Sequence, residues 1–279
     1  MLFVNNSSKA KKMQLVAVCR KKIVSWFILK NNLYAEIMGG HKNCRGEPKD
    51  VRWGELSRNS TQTARRSKEK RILTKKDEIK WLFFDVGSTL IDESKVYEYR
   101  IKKIAELLGT AYVQVYEYAM SFYKENKKGD LEAARQLGVE LPKWESQYER
   151  LYKDTKDCLK KLSGIYKIGV IANQSLGTCE RLENFGIKKY IDLVIASAEE
   201  GVSKPDRRIF EIALERSRCK PENAVMIGDR IDNDIVPAKQ LGMKTIWVKQ
   251  GFGSLWNITD ESEKADIEVN NLSDILKYL

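Results

Sequence analysis

Four short apolar runs, each ending in residues able to do chemistry, restrict what this chain can fold into. The first, residues 79–85, is apolar up to Asp85 and leads into a loop with Gly87. Residues 166–172, 191–197 and 224–227 repeat the pattern, and Lys244–Val248 and Ile267–Val269 add two shorter runs. Short stretches rich in Val, Ile, Leu and Phe, broken only by single charges such as Lys80, Lys167 and Asp192, suit strands covered on both faces. Between them lie segments with helical character, predicted over 177–185, 205–218, 235–241 and 273–279. Pro205 suits a first helical turn, and Gly242 suits a helix end. Strand–helix alternation of this kind predicts an α/β fold with a doubly wound parallel sheet.

In such sheets ligands bind beyond the carboxyl ends of the strands. The first strand delivers Asp85, Gly87, Ser88 and Thr89 to that edge, and the second delivers Ala172, Asn173, Gln174 and Ser175. The third leads to Ser203, Lys204, Pro205 and Asp206, and the fourth ends in Gly228, Asp229, Arg230, Asp232 and Asp234. Two strand-end carboxylates 144 residues apart, Asp85 and Asp229, can hold a hard cation such as Mg²⁺ through oxygen. Lys204 balances negative charge, and a Ser/Gly loop at a helix start suits phosphate oxygens. Together these features predict a phosphoryl-transfer site, where positioning and charge neutralisation supply most of the catalysis.

In order and spacing these elements resemble the haloacid dehalogenase-like hydrolase superfamily, in its helical-cap subfamily. Residues 84–90 match the first motif, D-x-D-x-T, except at one position; Lys204-Pro205 matches the third; Gly228, Asp229 and Asp234 match the fourth, G-D-x-x-x-x-D. The resemblance covers residues 79–279. It implies a Rossmann-like core and a phosphatase acting on a small phosphorylated metabolite. By the same resemblance Asp85 is the nucleophile that forms an aspartyl-phosphate. Asp85, Asp229 and the Gly87 carbonyl bind Mg²⁺, and Asp234 steadies the metal and its water shell. Lys204 pairs with Asp85 and the phosphoryl group. Ser88, Thr89, Asn173, Gln174 and Ser175 are the expected phosphate or substrate contacts, with Arg230 a further candidate.

Two positions depart from the pattern. Gly87 stands where phosphatases of the family usually carry a second Asp that gives and takes a proton, a loss of about 10²–10⁴ in rate. Ala172 stands where a Thr or Ser is usual, with Ser175 the nearest substitute hydroxyl. A slow or specialised phosphatase with a weakened acid/base is therefore expected, favouring acyl or aryl phosphates. Asp92 and Glu93 are the nearest acids able to fill the gap, with no motif behind either. A protein of this fold that binds or regulates without useful turnover is the second reading. A metal-free dehalogenase is the third, disfavoured by Asp229 and Asp234.

Residues 94–162 carry helical periodicity, with Ile101, Ile104, Ala105 and Leu108 making one stripe, and no strand-like run. They read as a helical cap inserted after the first strand, closing over the site and choosing the substrate. The expected division is an extension at 1–77, a core domain at 78–93 and 163–279, and the cap at 94–162.

Charge separates the extension from the rest. The chain carries +11 overall, but residues 1–77 account for +13 and residues 78–279 for −2. The extension is read as a disordered tail or as translation from an upstream false start. Nucleic acid is not an expected partner, since no binding motif accompanies the charge. Five scattered cysteines without a C-x-x-C pair are not a disulfide framework, and His41 with Cys44 is too few ligands for zinc. Apolar runs near the start fall well short of the roughly 20 residues a membrane span needs. A cytoplasmic enzyme is expected. The only histidine is His41, so Ser-His-Asp or Cys-His catalysis is not available in 78–279.

Overall fold

The computed structural model describes residues 79–279 together with Val18, residues 21–23 and residues 25–26. The expectations for most of the extension at 1–77, and for His41 and Cys44, lie outside the described residues. The chain divides into two compact units, one holding the described residues of the extension with Tyr97–Trp144 and the other holding residues 79–96 with Glu145–Leu279.

The larger unit is built on a six-stranded parallel sheet. Its strands are β1 (Trp81–Phe84), β4 (Lys167–Ala172), β5 (Leu193–Ala196), β6 (Ala224–Gly228), β7 (Lys244–Val248) and β8 (Ile267–Val269). Their order across the sheet is β5-β4-β1-β6-β7-β8. The order runs outward in both directions from β1, so the fold reverses beside it. A doubly wound sheet opens its crevice at such a switch point, at the carboxyl ends of β1 and its neighbours.

Helices cover both faces. Leu82 and Phe84 of β1 point to one face, where they join Ile168, Val170, Val225 and Ile227. Helix α4 (Thr155–Leu162) supplies Cys158, Leu159 and Leu162 to this layer. Phe83 points the other way and packs with Ile171, Ile195, Met226 and helix α7 (Arg207–Ser217), through Ile209, Phe210, Ala213 and Leu214. Each fully buried Leu, Ile or Phe contributes about 1.5–3 kcal/mol of apolar burial.

Helix α4 lies in the sheet-bearing unit, whereas its sequence grouped it with the insertion. Its period shows that it is amphipathic but not which body its apolar stripe covers. The insertion also lacks strands by sequence pattern, yet Arg150–Leu151 forms β3, paired antiparallel with β2 (Ile91–Asp92). Two residues are too few for a period to register.

The smaller unit contains α1 (from Ser94–Leu108), α2 (Tyr112–Tyr123) and α3 (Gly129–Gln136). The expected stripe of Ile101, Ile104, Ala105 and Leu108 is buried against Val115, Ala119, Ala133, Ala134 and Leu137. Asp130 is buried here with partners, accepting from Arg100 Nη1 at 2.9 Å and from Tyr123 at 3.1 Å. The described residues of the extension belong to this unit and are helical. Ile23 is 1% exposed within the same apolar cluster, Trp26 meets Tyr118 edge-on, and Lys22 Nζ donates to the Gln136 carbonyl at 3.0 Å. Among the described residues of this stretch, Ile23 is the one buried in the cluster, where a disordered tail or a false start was expected. No helix among the described residues is long and apolar enough to cross a membrane.

Candidate active site

The loop after β1 turns back sharply on itself. Leu90 and Ile91 both donate backbone N–H groups to the Val86 carbonyl at 2.9 Å, and Ser88 donates to the Ile91 carbonyl at 2.8 Å. Ser88 sits at φ 56°, a left-handed conformation that few non-glycine residues adopt. This turn leaves Asp85 at the strand end and returns the chain past Gly87 to Glu93.

Asp85, Asp229 and Asp234 meet. One carboxylate oxygen from each lies within 4.8 Å of the others, and all three residues are buried. Asp85 and Asp229 come from the ends of the adjacent strands β1 and β6. Asp234 comes from a tight turn, Ile231–Ile235, where its Oδ2 accepts from the Arg230 N–H at 3.0 Å. Lys204, 4% exposed, reaches in from the β5 side. Its Nζ donates to Asp85 Oδ1 at 2.6 Å and also to Asp234 Oδ1.

The electrostatics are those of crowded anions. Burial, then the neighbouring Asp85 and Asp234, push the Asp229 carboxyl well above its ordinary range. Burial also pushes Asp234 up, against the pull of Lys204. For Lys204 burial favours the neutral amine, but Asp234 and Asp85 outweigh it and hold the ammonium above its usual value.

The remaining expected residues divide by role. Asn173 clamps Lys204: its Oδ1 accepts from the Lys204 N–H at 2.7 Å, and its Nδ2 donates to the Lys204 carbonyl at 2.8 Å. Thr89, fully buried, donates to Asp229 Oδ1 at 3.3 Å. Ser88 Oγ donates to Glu93 Oε2 at 3.2 Å. Gln174 accepts from Arg181 Nη1, and the Ser175 carbonyl accepts from Thr178. Arg230 is paired with Asp232 at 2.7 Å and lies over the Trp256 ring. Thus Asp85, Lys204, Asp229 and Asp234 converge, while Asn173 and Thr89 hold members of that group in place.

Sequence reasoning passed over several neighbours. Glu149, 2% exposed, is gripped by Arg181 through Nη2 at 2.6 Å and Nε at 2.9 Å. Nothing local to either residue announces a pair 32 positions apart. The Trp247 indole donates to the Asp229 carbonyl at 2.8 Å, and Gly253 lies so close that a Cβ there would stand 2.3 Å from the same oxygen. Glu93 was one of two acids considered beside Gly87. The other, Asp92, accepts from the Ser94 N–H at 2.9 Å at the start of α1. Glu93 is buried, and burial, then Asp85 and Glu149, push its carboxyl up to about 8.

Strand-end acids from β1 and β6, with a buried lysine bridging Asp85 and Asp234 beside the switch point, coincide with a family match. The model of haloacid dehalogenase-like hydrolases matches residues 79–242. The chain belongs to that family. Among its relatives is the glyceraldehyde 3-phosphate phosphatase of Pyrococcus furiosus, 30% identical over 224 residues that cover 72% of this chain and 93% of the relative. The phosphoserine phosphatase of Thermus thermophilus is 32% identical over 96 residues, 34% of this chain and 37% of that protein. Among solved structures, a phosphatase of the family from Thermococcus onnurineus aligns with a TM-score of 0.52 at 23% identity, covering 71% of this chain and 97% of that one. A dehalogenase structure aligns with a TM-score of 0.55 at 19% identity, covering 73% and 98%. These two structures share the fold of this hydrolase.

Proposed function

We propose that this hydrolase is a Mg²⁺-dependent phosphatase of a small phosphorylated metabolite, working through an aspartyl-phosphate on Asp85. The observation that carries the reading is the meeting of Asp85, Asp229 and Asp234 within 4.8 Å beside the Lys204 ammonium. The relatives named glyceraldehyde 3-phosphate phosphatase favour a short phosphorylated sugar or acid as substrate.

The residues fit a hard divalent cation. Three buried carboxylates against one lysine leave surplus negative charge, and every side-chain donor in the cluster is oxygen, the set that Mg²⁺ prefers. Asp85, Asp229 and Asp234, with the Gly87 carbonyl, would hold it. When bound, such an ion neutralises charge on the phosphoryl oxygens and on the acids around them.

The chain's own groups do the rest. Asp85 presents a carboxylate oxygen to phosphorus, and the Lys204 ammonium on its Oδ1 holds that side chain in one rotamer. Asn173 fixes Lys204 through its backbone, so the ammonium is placed by the chain rather than by its flexible stem. Thr89 keeps Asp229 turned inward. Charge development at the transferring phosphoryl group then meets groups already oriented, which is how such sites lower the barrier.

The test is steady-state hydrolysis of p-nitrophenyl phosphate and of a phosphometabolite panel that includes glyceraldehyde 3-phosphate. Activity is expected with Mg²⁺, and is lost in EDTA and in Asp85→Asn. Hydrolysis that persists in Asp85→Asn would remove Asp85 from the mechanism.

A further inference from the structure

We propose that Glu93 is the acid and base of this reaction, its carboxyl filling the space beside the nucleophile that Gly87 leaves without a side chain. The inference rests on the phosphatase reading above and names the group that moves the proton.

Removal of an alkyl phosphate's alcohol needs a proton, because the bare alkoxide is a poor leaving group. Residues 78–279 contain no histidine, so a donor among them is sought among carboxyls. Among the described residues of the sheet-bearing unit, the buried acids are Asp85, Glu93, Glu149, Asp229 and Asp234. Asp85 attacks phosphorus. Asp229 and Asp234 share the acid cluster with it. Glu149 is held by two nitrogens of Arg181. Glu93 alone among them is neither in the cluster nor in an ion pair with Arg181.

Its position is the decisive observation. An ideal Cβ built on Gly87 would lie 2.5 Å from Glu93 Oε1, 2.8 Å from Oε2 and 2.9 Å from Cδ. The carboxyl of Glu93 therefore occupies the volume that a side chain at position 87 would take, two residues from the nucleophile. The turn at Ser88 folds the chain back to bring it there, and the Ser88 hydroxyl fixes its Oε2. The glycine and the glutamate read as one arrangement: a side chain removed at 87 and a carboxyl returned from 93.

The chemistry balances in two halves. A carboxylate oxygen of Asp85 bonds to phosphorus as the bond from phosphorus to the substrate alcohol breaks. The electron pair goes to that alcohol oxygen, which takes the proton of the Glu93 carboxyl. In the second half the Glu93 carboxylate takes a proton from water as the water oxygen bonds to phosphorus. The bond to Asp85 breaks, its electrons return to the aspartate, and inorganic phosphate leaves with Glu93 protonated again.

The experiment compares the full-length, Mg²⁺-loaded protein with Glu93→Gln, using p-nitrophenyl phosphate and an alkyl phosphate turned over by the wild type. Aryl leaving groups need little protonation. The ratio of aryl to alkyl kcat/KM is expected to widen by about 10²–10⁴ in the variant. Dephosphorylation of Asp85 loses its base too, so a burst of p-nitrophenolate near one equivalent should precede slow turnover, with acid-stable phosphoprotein absent from Asp85→Asn. An unchanged ratio with no burst, in a folded variant, overturns the role of Glu93. Wild-type activity abolished by Asp85→Asn keeps the phosphatase reading standing in that case, so the two failures are distinguishable. Should Glu93→Gln fail to fold, the double variant Gly87→Asp/Glu93→Ala returns a carboxyl from the other backbone position. Alkyl kcat/KM within about tenfold of the wild type supports the inference, and a fall beyond about 10² in a folded double variant overturns it.

Discussion

The Glu93 carboxylate stands over the α-carbon of Gly87 at a spacing that leaves no room for a methyl group, with Oε1 2.5 Å from where Cβ would be. Gly87→Ala is therefore expected to displace Glu93 or strain the loop. The atoms met are the end of a flexible side chain, so the cost is at most about 1–3 kcal/mol, the usual range for overpacking. Thermal melting checks the stability, and alkyl phosphatase activity should fall more than aryl activity.

The acid cluster predicts a metal-linked stability. Mg²⁺ at about 100 times its Kd should add about 2.7 kcal/mol, or roughly 5–10 °C in Tm for a chain of this size. Asp229→Asn should abolish that shift. The same variant should melt higher than the wild type in EDTA, because a buried anion is gone from beside two others. Differential scanning calorimetry with and without Mg²⁺ reads both effects, and an unchanged Mg²⁺ shift in Asp229→Asn would contradict the assignment.

Arg181 and Glu149 form a pair whose acid is almost wholly shielded, with side-chain exposures of 21% and 1%. Arg181→Met strands Glu149 close to Glu93. A loss of about 3–5 kcal/mol is expected, measured by urea denaturation.

Cysteine chemistry offers an independent check of packing. Burial, then Asp154, push the Cys158 thiol up to about 12, and its Sγ lies 3.3 Å from the Leu272 carbonyl. Cys179 is exposed. Iodoacetamide at pH 8 should modify Cys179 and spare Cys158 until the protein unfolds, as peptide mass spectrometry will show.

Ile23 tests the docking of the extension. Ile23→Ala should cost about 2–5 kcal/mol in the unit it joins, the range for an emptied aliphatic site. A melting temperature equal to the wild type would mean that this stretch lends the helical unit nothing.

Much of this architecture was legible before any coordinates. Strands fully buried on two faces betray themselves as short apolar runs, so β4 and β6 fell within a residue or two of their expected limits and β8 coincided with its own. The convergence of Asp85, Lys204, Asp229 and Asp234 was readable because Asp85 and Asp229 directly follow strand ends and Lys204 and Asp234 match motif positions. What escaped was set by distance in sequence or by a turn. The clamp of Asn173 on the Lys204 backbone spans 31 residues, and no local pattern marks it. Asn173 and Thr89 were expected at phosphate, and the structure turns their polar atoms to Lys204 and Asp229. Glu93 could be named only as a neighbour of a gap, because the direction of its side chain follows from the left-handed backbone at Ser88. The helical period of α4 was visible, but a period says nothing about which partner a stripe will meet.

Trp247 binds the carbonyl of Asp229 through its indole nitrogen and is 3% exposed. One of the six tryptophans is thus hydrogen-bonded to the backbone of Asp229, away from solvent quenching. The enzyme thereby carries its own optical gauge: emission lost on Trp247→Phe is the fraction that reports on the tip of β6, and following it during a Mg²⁺ titration is expected to read binding at Asp229 without any turnover.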